Sequence, residues 1–137
     1  MKINRSINYF RRTIEIILSF APAFVLSASI AYGLAHRVAL KPAGLVLVVI
    51  GAIIGALNFY LSFIRPYLYW RKRNSTEAYR HISGFPVVGS FLAFAGGVVS
   101  FGSEPIALFA LITIIIDTGG PIWFLIFTWH DSSFWDE

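Results

Sequence analysis

The sequence predicts an all-α integral membrane protein: a small bundle of about four transmembrane helices in a single domain, residues 1–137. Hydrophobic residues make up 57% of the chain and charged residues only 13%, against about 25% charged in an ordinary soluble domain. A chain of this size leaves a large share of its surface exposed, and its mean hydropathy is +0.71. The apolar residues also form long runs separated by basic or Pro- and Gly-rich breaks. These observations exclude a soluble enzyme and a disordered tail.

The first two predicted spans are apolar segments of membrane-crossing length. Span one covers residues 13–35 and span two covers residues 43–64. Each exceeds the roughly 20 residues that a helix needs to cross a bilayer. Pro22 lies within span one, where neighbouring helices can satisfy the carbonyl group that a proline leaves free. Span two starts after Lys41-Pro42 and ends at Arg65-Pro66.

The C-terminal half of the sequence leaves two topologies open. Span three covers residues 85–101, close to the lower length limit for a span, with Ser83 as its predicted N-cap. Residues 106–129 follow, and the sequence Asp-Thr-Gly-Gly-Pro starting at Asp117 interrupts them, since two glycines and a proline cannot continue a helix. We favour one broken fourth helix with Asp117 near the middle of the membrane. The alternative is a short last span, with residues 122–135 in the interface.

The distribution of Lys and Arg predicts that both termini face the cytoplasm. Four basic residues precede span one and five lie between spans two and three, whereas two lie between spans one and two and none between spans three and four. Cytoplasmic loops carry an excess of Lys and Arg. We therefore expect a multi-pass membrane protein whose N-terminus, C-terminus and central basic loop are cytoplasmic. The nine residues assigned to the cytoplasm are Lys2, Arg5, Arg11, Arg12, Arg65, Arg71, Lys72, Arg73 and Arg80.

Small residues recur at helical spacing and predict close helix packing. Gly51 and Gly55 lie in span two, and Gly89 and Gly97 lie in span three. Within lipid, helices associate where small residues let their backbones approach. Two interpretations remain open: a tight internal bundle within one chain, or a face that binds a second copy or a partner helix.

Arg80, His81 and Asp117 form the predicted polar centre. A carboxylate close to the bilayer interior is costly, and it is by default a functional hypothesis. Arg80 and His81 directly precede span three, so they could pair with that carboxylate. The alternatives are that Asp117 caps a turn at the interface, and that the two basic residues only anchor the start of a helix.

The run Arg71-Lys72-Arg73 also has two interpretations. It resembles a juxtamembrane polybasic patch that attracts anionic lipid. The same residues could serve only to set the orientation of the chain in the membrane.

The sequence offers no catalytic, cofactor or metal site. It has no cysteine, no Gly-rich phosphate loop, no set of His and carboxylate ligands, and no nucleophile beside a base. We therefore predict a protein that is not an enzyme and that uses no cofactor. The formal net charge of +4 is accounted for by basic cytoplasmic loops, so no nucleic-acid partner is expected.

The chain resembles known proteins in two ways, one through its sequence patterns and one through its architecture. The pattern RHxSGxPxxG starting at Arg80 and the pattern DxGGP starting at Asp117 are similar to small uncharacterised inner-membrane proteins of bacteria, over roughly the C-terminal 60 residues. The architecture also resembles membrane-embedded immunity proteins that protect bacteria from pore-forming toxins.

The second resemblance implies a function by protein–protein binding within the bilayer. The partner would be a membrane protein, most plausibly a toxin, engaged through exposed small-residue faces or through the turn at Asp117. Two other functions stay open. The chain could be a small ion or solute transporter or channel that uses Asp117, or an accessory subunit of a larger membrane complex.

Overall fold

A computed structural model describes residues 5–73 and 84–129. Every regular element in these ranges is a helix, so the all-α prediction is confirmed for the described residues. In chain order the elements are α1 (Arg5–His36), α2 (Pro42–Phe59), a π-helical turn (Tyr60–Ile64), α3 (Arg65–Arg73), α4 (Val88–Val99), α5 (Glu104–Ile116) and α6 (Pro121–Thr128).

Three helical units among the described residues are long and apolar enough to cross a membrane. They are Arg12–His36, Pro42–Lys72 and Glu104–Thr128, the last with its break between α5 and α6. The fourth apolar helix, α4, has 12 residues and is about 18 Å long. The hydrocarbon core of a bilayer is about 30 Å thick, so α4 alone does not reach across it.

The start of α4 differs from the prediction. The sequence predicts helix over residues 85–101 with Ser83 as N-cap, whereas α4 covers Val88–Val99 and its N-cap position is Val87. Ser83 lies outside the described residues. Val87 has a positive φ of 66°, which a β-branched residue rarely adopts. Its N–H donates to the carbonyl oxygen of Gly119 at 2.8 Å, so a distant contact holds the chain out of the helix here.

The helix of span two does not stop at Arg65-Pro66, where the predicted span ends, but continues through the proline to Arg73. Proline has no N–H to donate, and its ring would clash with the carbonyl group four residues earlier, that of Ser62. The π-helical turn lies at this place, and the N–H of Arg65 donates to the carbonyl oxygen of Tyr60, five residues back. The wider turn accommodates the proline without ending the helix.

α2 and α4 lie antiparallel along a surface of small residues, which we call the glycine seam. A methyl group added to Gly51 would lie 2.7 Å from the Gly89 carbonyl oxygen and 2.8 Å from the Ala93 nitrogen. A methyl group added to Gly96 would lie 2.6 Å from the Gly44 carbonyl oxygen. The two backbones therefore touch. The seam residues are Gly44, Val48, Gly51, Gly55 and Asn58 of α2, and Gly89, Ser90, Ala93 and Gly96 of α4.

The core lies where α1 and α5 cover the side of α4 beyond the seam. Gly97 faces this core, because a methyl group there would meet the side chains of Leu26 and Ala110. The core residues are Leu26, Val48, Ala93, Ile106, Ala110 and Ile114. The outer surface is also apolar: Phe24 is 73% exposed and Phe127 is 63% exposed. The small residues of α2 and α4 thus contact each other within one chain, and large apolar side chains cover the outside.

Candidate functional site: a buried polar centre

Asp117 lies at the junction of α5 and α6 and is fully buried, with 0% of its surface exposed. Its N–H donates to the Thr113 carbonyl oxygen at 2.9 Å and so closes the last turn of α5. Its own carbonyl oxygen accepts from the N–H of Gly120 at 2.8 Å. The break predicted between Asp117 and Pro121 is present, and the backbone of Asp117 shapes it.

Four donors surround the Asp117 carboxylate. Oδ1 accepts from Nδ2 of Asn58 at 2.7 Å and from the N–H of Gly119 at 3.1 Å. Oδ2 accepts from the N–H of Ser90 at 2.6 Å and from its Oγ at 2.8 Å. A carboxylate has about four lone-pair positions for donors, so its accepting capacity is used. The polar centre of the described residues thus consists of Asn58, Ser90 and Asp117, and the name refers to these three residues from here on.

Asn58 connects the polar centre to the segment before α4. Its Oδ1 accepts from the N–H of Phe85 at 2.9 Å, and its Nδ2 donates to the carbonyl oxygen of Phe85 at 2.9 Å as well as to Asp117. The side-chain amide thus pairs with both backbone groups of one residue. Asn58 is buried, with 2% exposed, so these hydrogen bonds satisfy the polar atoms of a buried amide.

Glycines of the described residues pack closely against the polar centre. A methyl group on Gly55 would lie 3.2 Å from Cβ of Asp117, one on Gly89 would lie 2.7 Å from its Oδ2, and one on Gly119 would lie 2.7 Å from Nδ2 of Asn58. Added methyl groups would also meet Oδ1 of Asn58 and Oγ of Ser90. The glycines responsible for these two contacts are Gly84 and Gly120.

The predicted partners Arg80 and His81 lie outside the described residues, so their pairing with Asp117 stays a prediction. Within residues 5–73 and 84–129, all partners of the carboxylate are neutral donors. Hydrogen bonds to an ionised acceptor are shorter and stronger than neutral ones. Asn58 and Ser90 are hydrogen-bonded to Asp117, and neither belongs to the predicted site.

Of these two residues, only Asn58 could have been recognised from the sequence as a partner for a buried polar group. Asn58 is the one strongly polar residue inside span two, and a buried amide needs partners. Ser90 gives no such signal, since serine is common in transmembrane helices. Asn58 and Ser90 lie 59 and 27 residues before Asp117, so no local pattern relates them.

Contacts beside the polar centre dock α6 against the π-helical turn. Oγ of Ser62 and Oγ1 of Thr118 are hydrogen-bonded at 2.9 Å. Trp123 donates its ring N–H to the Ile115 carbonyl oxygen at 2.7 Å, and its ring centroid lies 5.5 Å from that of Phe63. The short helix α6 is therefore held on α5 and on the end of α2.

Two apolar crevices open on the outer surface on either side of the polar centre. One has a volume of about 110 Å³ and lies between Pro22, Phe91 and Pro121. The other has a volume of about 100 Å³ and lies between Ala56 and Phe109. No group of three His, Asp or Glu residues among the described residues could hold a metal ion.

Comparisons of the chain with protein-family models, with curated proteins and with solved structures find no match. The resemblance of the sequence to bacterial inner-membrane proteins and to immunity proteins therefore stays a prediction.

Proposed function

We propose that this chain is a small multi-pass protein of the bacterial inner membrane that binds another membrane protein within the bilayer. As its specific role we propose immunity to a membrane-acting toxin. One observation carries the proposal: the only buried carboxylate among the described residues is enclosed and fully hydrogen-bonded. The function is then expected on the outer surface of the bundle, because the polar interior is already used by the fold.

The closed polar centre argues against transport through Asp117. A transport site must release its ion and bind it again, which requires a free acceptor and a path. The four donors occupy the carboxylate, and a methyl group on Gly89 would already lie 2.7 Å from Oδ2. The two nearby crevices are apolar. Asp117 thus serves to fix the fold.

The outer surface supplies what a partner helix needs in lipid. Helices in a bilayer associate through close packing rather than through hydrophobic burial. The glycine seam and the turn at Asp117 are covered by the chain itself. We therefore expect the partner to bind the lipid-facing sides of the helices instead. Phe91 is 64% exposed and lines one of the two crevices. Ile112 is 45% exposed and lines the other, so the exposed apolar surface is not flat.

Immunity is tested by survival of a toxin-sensitive bacterium that produces the chain. Cells with the chain and cells with an empty vector are challenged with a panel of pore-forming bacteriocins. We expect survival to rise at least tenfold against one of them. A chain that is folded and inserted but protects against none of the panel contradicts the immunity proposal.

A surface variant and its matched control locate the binding face. Ala56→Phe fills the crevice between α2 and α5, whereas Leu57→Phe, at the next position, adds a similar ring on the exposed surface outside that crevice. We expect the crevice variant to lose protection and the control to keep it. Equal protection by both variants excludes this crevice from the interface.

Transport is tested on purified chain in vesicles. We expect no flux of protons, Na⁺ or K⁺ above that of protein-free vesicles. If the wild type shows flux and Asp117→Asn abolishes it without changing the helix content, the function is transport rather than binding.

A further inference from the structure

The short helix α3 has an unusual composition for a segment joined directly to a membrane-crossing helix. Four of its nine residues are basic and none is acidic. Its aromatic side chains are accessible: Tyr67 is 57% exposed and Trp70 is 49% exposed, with their ring centroids 6.3 Å apart. Arg71 and Lys72 are also exposed. The exposed surface of this helix therefore combines positive charge with aromatic rings.

The length of α2 places α3 at the membrane surface. About 20 helical residues cross the hydrocarbon core, and counted from Gly44 they end close to Ile64. The helix does not stop there, because the π-helical turn carries it past Pro66 to Arg73. Arg71 then lies roughly 10 Å beyond Ile64, at 1.5 Å of rise per residue. α3 thus passes through the headgroup layer.

The direction of helical side chains brings the charges of α3 back toward that layer. In an α-helix the Cα–Cβ bonds tilt toward the N-terminus. The N-terminus of α3 is its membrane end, because it follows α2 directly. The long side chains of Arg71 and Lys72 therefore incline toward the lipid phosphates, and their apolar stems can lie along the interface.

We infer that α3 binds the headgroups of anionic phospholipids. Basic clusters beside a membrane-crossing helix are attracted to anionic lipid, and the planar guanidinium group of Arg71 can bind a phosphate with two parallel hydrogen bonds. Tyr and Trp prefer the headgroup level, and Tyr67 and Trp70 favour a lipid over an acidic protein segment. The inference rests on the membrane insertion in the proposed function, but not on toxin binding.

Native mass spectrometry of the full chain tests the inference. The protein is purified into mixed micelles with equal amounts of phosphatidylglycerol and phosphatidylcholine that carry identical acyl chains. We expect the chain to retain several-fold more phosphatidylglycerol. Each basic residue near an anionic surface is expected to contribute up to about fivefold. The double variant Arg71→Gln, Lys72→Gln should retain nearly equal amounts of the two lipids.

The matched control is Arg37→Gln, Lys41→Gln, which removes the same charge from exposed residues at the other end of α2. It should keep the preference of the wild type. If both double variants lose the preference for phosphatidylglycerol equally, the effect is one of net charge and the inference is overturned. A wild type that shows no preference between the two lipids also overturns it. The latter outcome would leave an acidic protein segment as the partner of α3.

Two further measurements keep the result unambiguous. If the Arg71, Lys72 double variant does not fold, the wild type at high salt replaces it. The Debye length is about 3 Å at 1 M salt, so the preference should disappear there. Protease protection in neutral vesicles reports insertion separately. A chain that does not insert contradicts the membrane proposal, whereas an inserted chain without lipid preference contradicts only the role of α3.

Discussion

The two ends of the glycine seam bury polar side chains in different ways. At one end the Asp117 carboxylate is surrounded by four donors. At the other end lie three buried serines, which we call the hydroxyl end: Ser29, Ser100 and Ser103, each 0% exposed. Oγ of Ser29 accepts from the N–H of Gly102 at 2.9 Å, whereas Oγ of Ser103 has no hydrogen-bond partner among the described residues.

The difference between these ends reflects the cost of burying each group. An ionised carboxylate without partners is far more expensive to bury than a hydroxyl group. The polar centre therefore requires a complete set of donors, and it draws them from three separate parts of the chain. A lone hydroxyl costs little enough that the hydroxyl end can leave one unpaired. Substitutions at the two ends should consequently differ in their effect on stability.

The largest effect is expected in the middle of the seam, on which both ends depend. Gly51→Leu should lower the free energy of unfolding by 3 kcal/mol or more, about the upper limit of ordinary overpacking, because its Cβ alone would lie 2.7 Å from a backbone oxygen of α4. Unfolding in detergent, followed by helix content, measures this. Val46→Leu is the control, since Val46 is 57% exposed on the same helix. Equal stability of the two variants would contradict the seam.

The second largest loss of stability is expected at the polar centre. Asp117→Ala removes the acceptor of four donors and should cost about 3 kcal/mol, at roughly 0.6 kcal/mol or more for each buried contact. Asp117→Asn should cost about half as much. Its amide keeps one acceptor oxygen and turns its NH₂ group toward donors.

The same unfolding measurement separates a fold-fixing role for Asp117 from a turn-capping role. If Asp117 only caps a turn, Asn should serve nearly as well as Asp. A fully stable Asp117→Asn variant would therefore show that the hydrogen bonds of Asn58 and Ser90 contribute little.

The smallest effects on the free energy of unfolding are expected at the hydroxyl end. Ser29→Ala leaves the Gly102 N–H without its acceptor and should cost about 0.6–1 kcal/mol. Ser103→Ala removes no hydrogen bond and should change stability by less than about 0.5 kcal/mol, although Ser103 occupies the N-cap position of α5. A cost at Ser103 as large as at Ser29 would show that its hydroxyl group has a partner.

Some features of the chain follow from local sequence alone. Long, mainly apolar runs predict the apolar parts of α1 and α2, because a helix satisfies its own backbone groups wherever it is placed. Gly-Gly-Pro after Asp117 predicts the break between α5 and α6, since two glycines followed directly by a proline strongly disfavour continuation of a helix. The glycine spacing in α2 likewise indicates which face of that helix permits close approach, though not which helix approaches it.

Other features depend on contacts between residues that are distant in the sequence. Pro66 does not end its helix, because a π-helical turn precedes it. Helix α4 begins at Val88 rather than at residue 85, because Asn58 holds the backbone of Phe85 and Gly119 holds Val87. The order of the residues alone predicts which segments can be helical and where the chain breaks between α5 and α6. Which donors surround Asp117 depends on the folded chain, because a buried carboxylate is stabilised by the groups that the fold brings within about 3 Å of it. These groups lie up to 59 residues away in the sequence, so no local pattern specifies them.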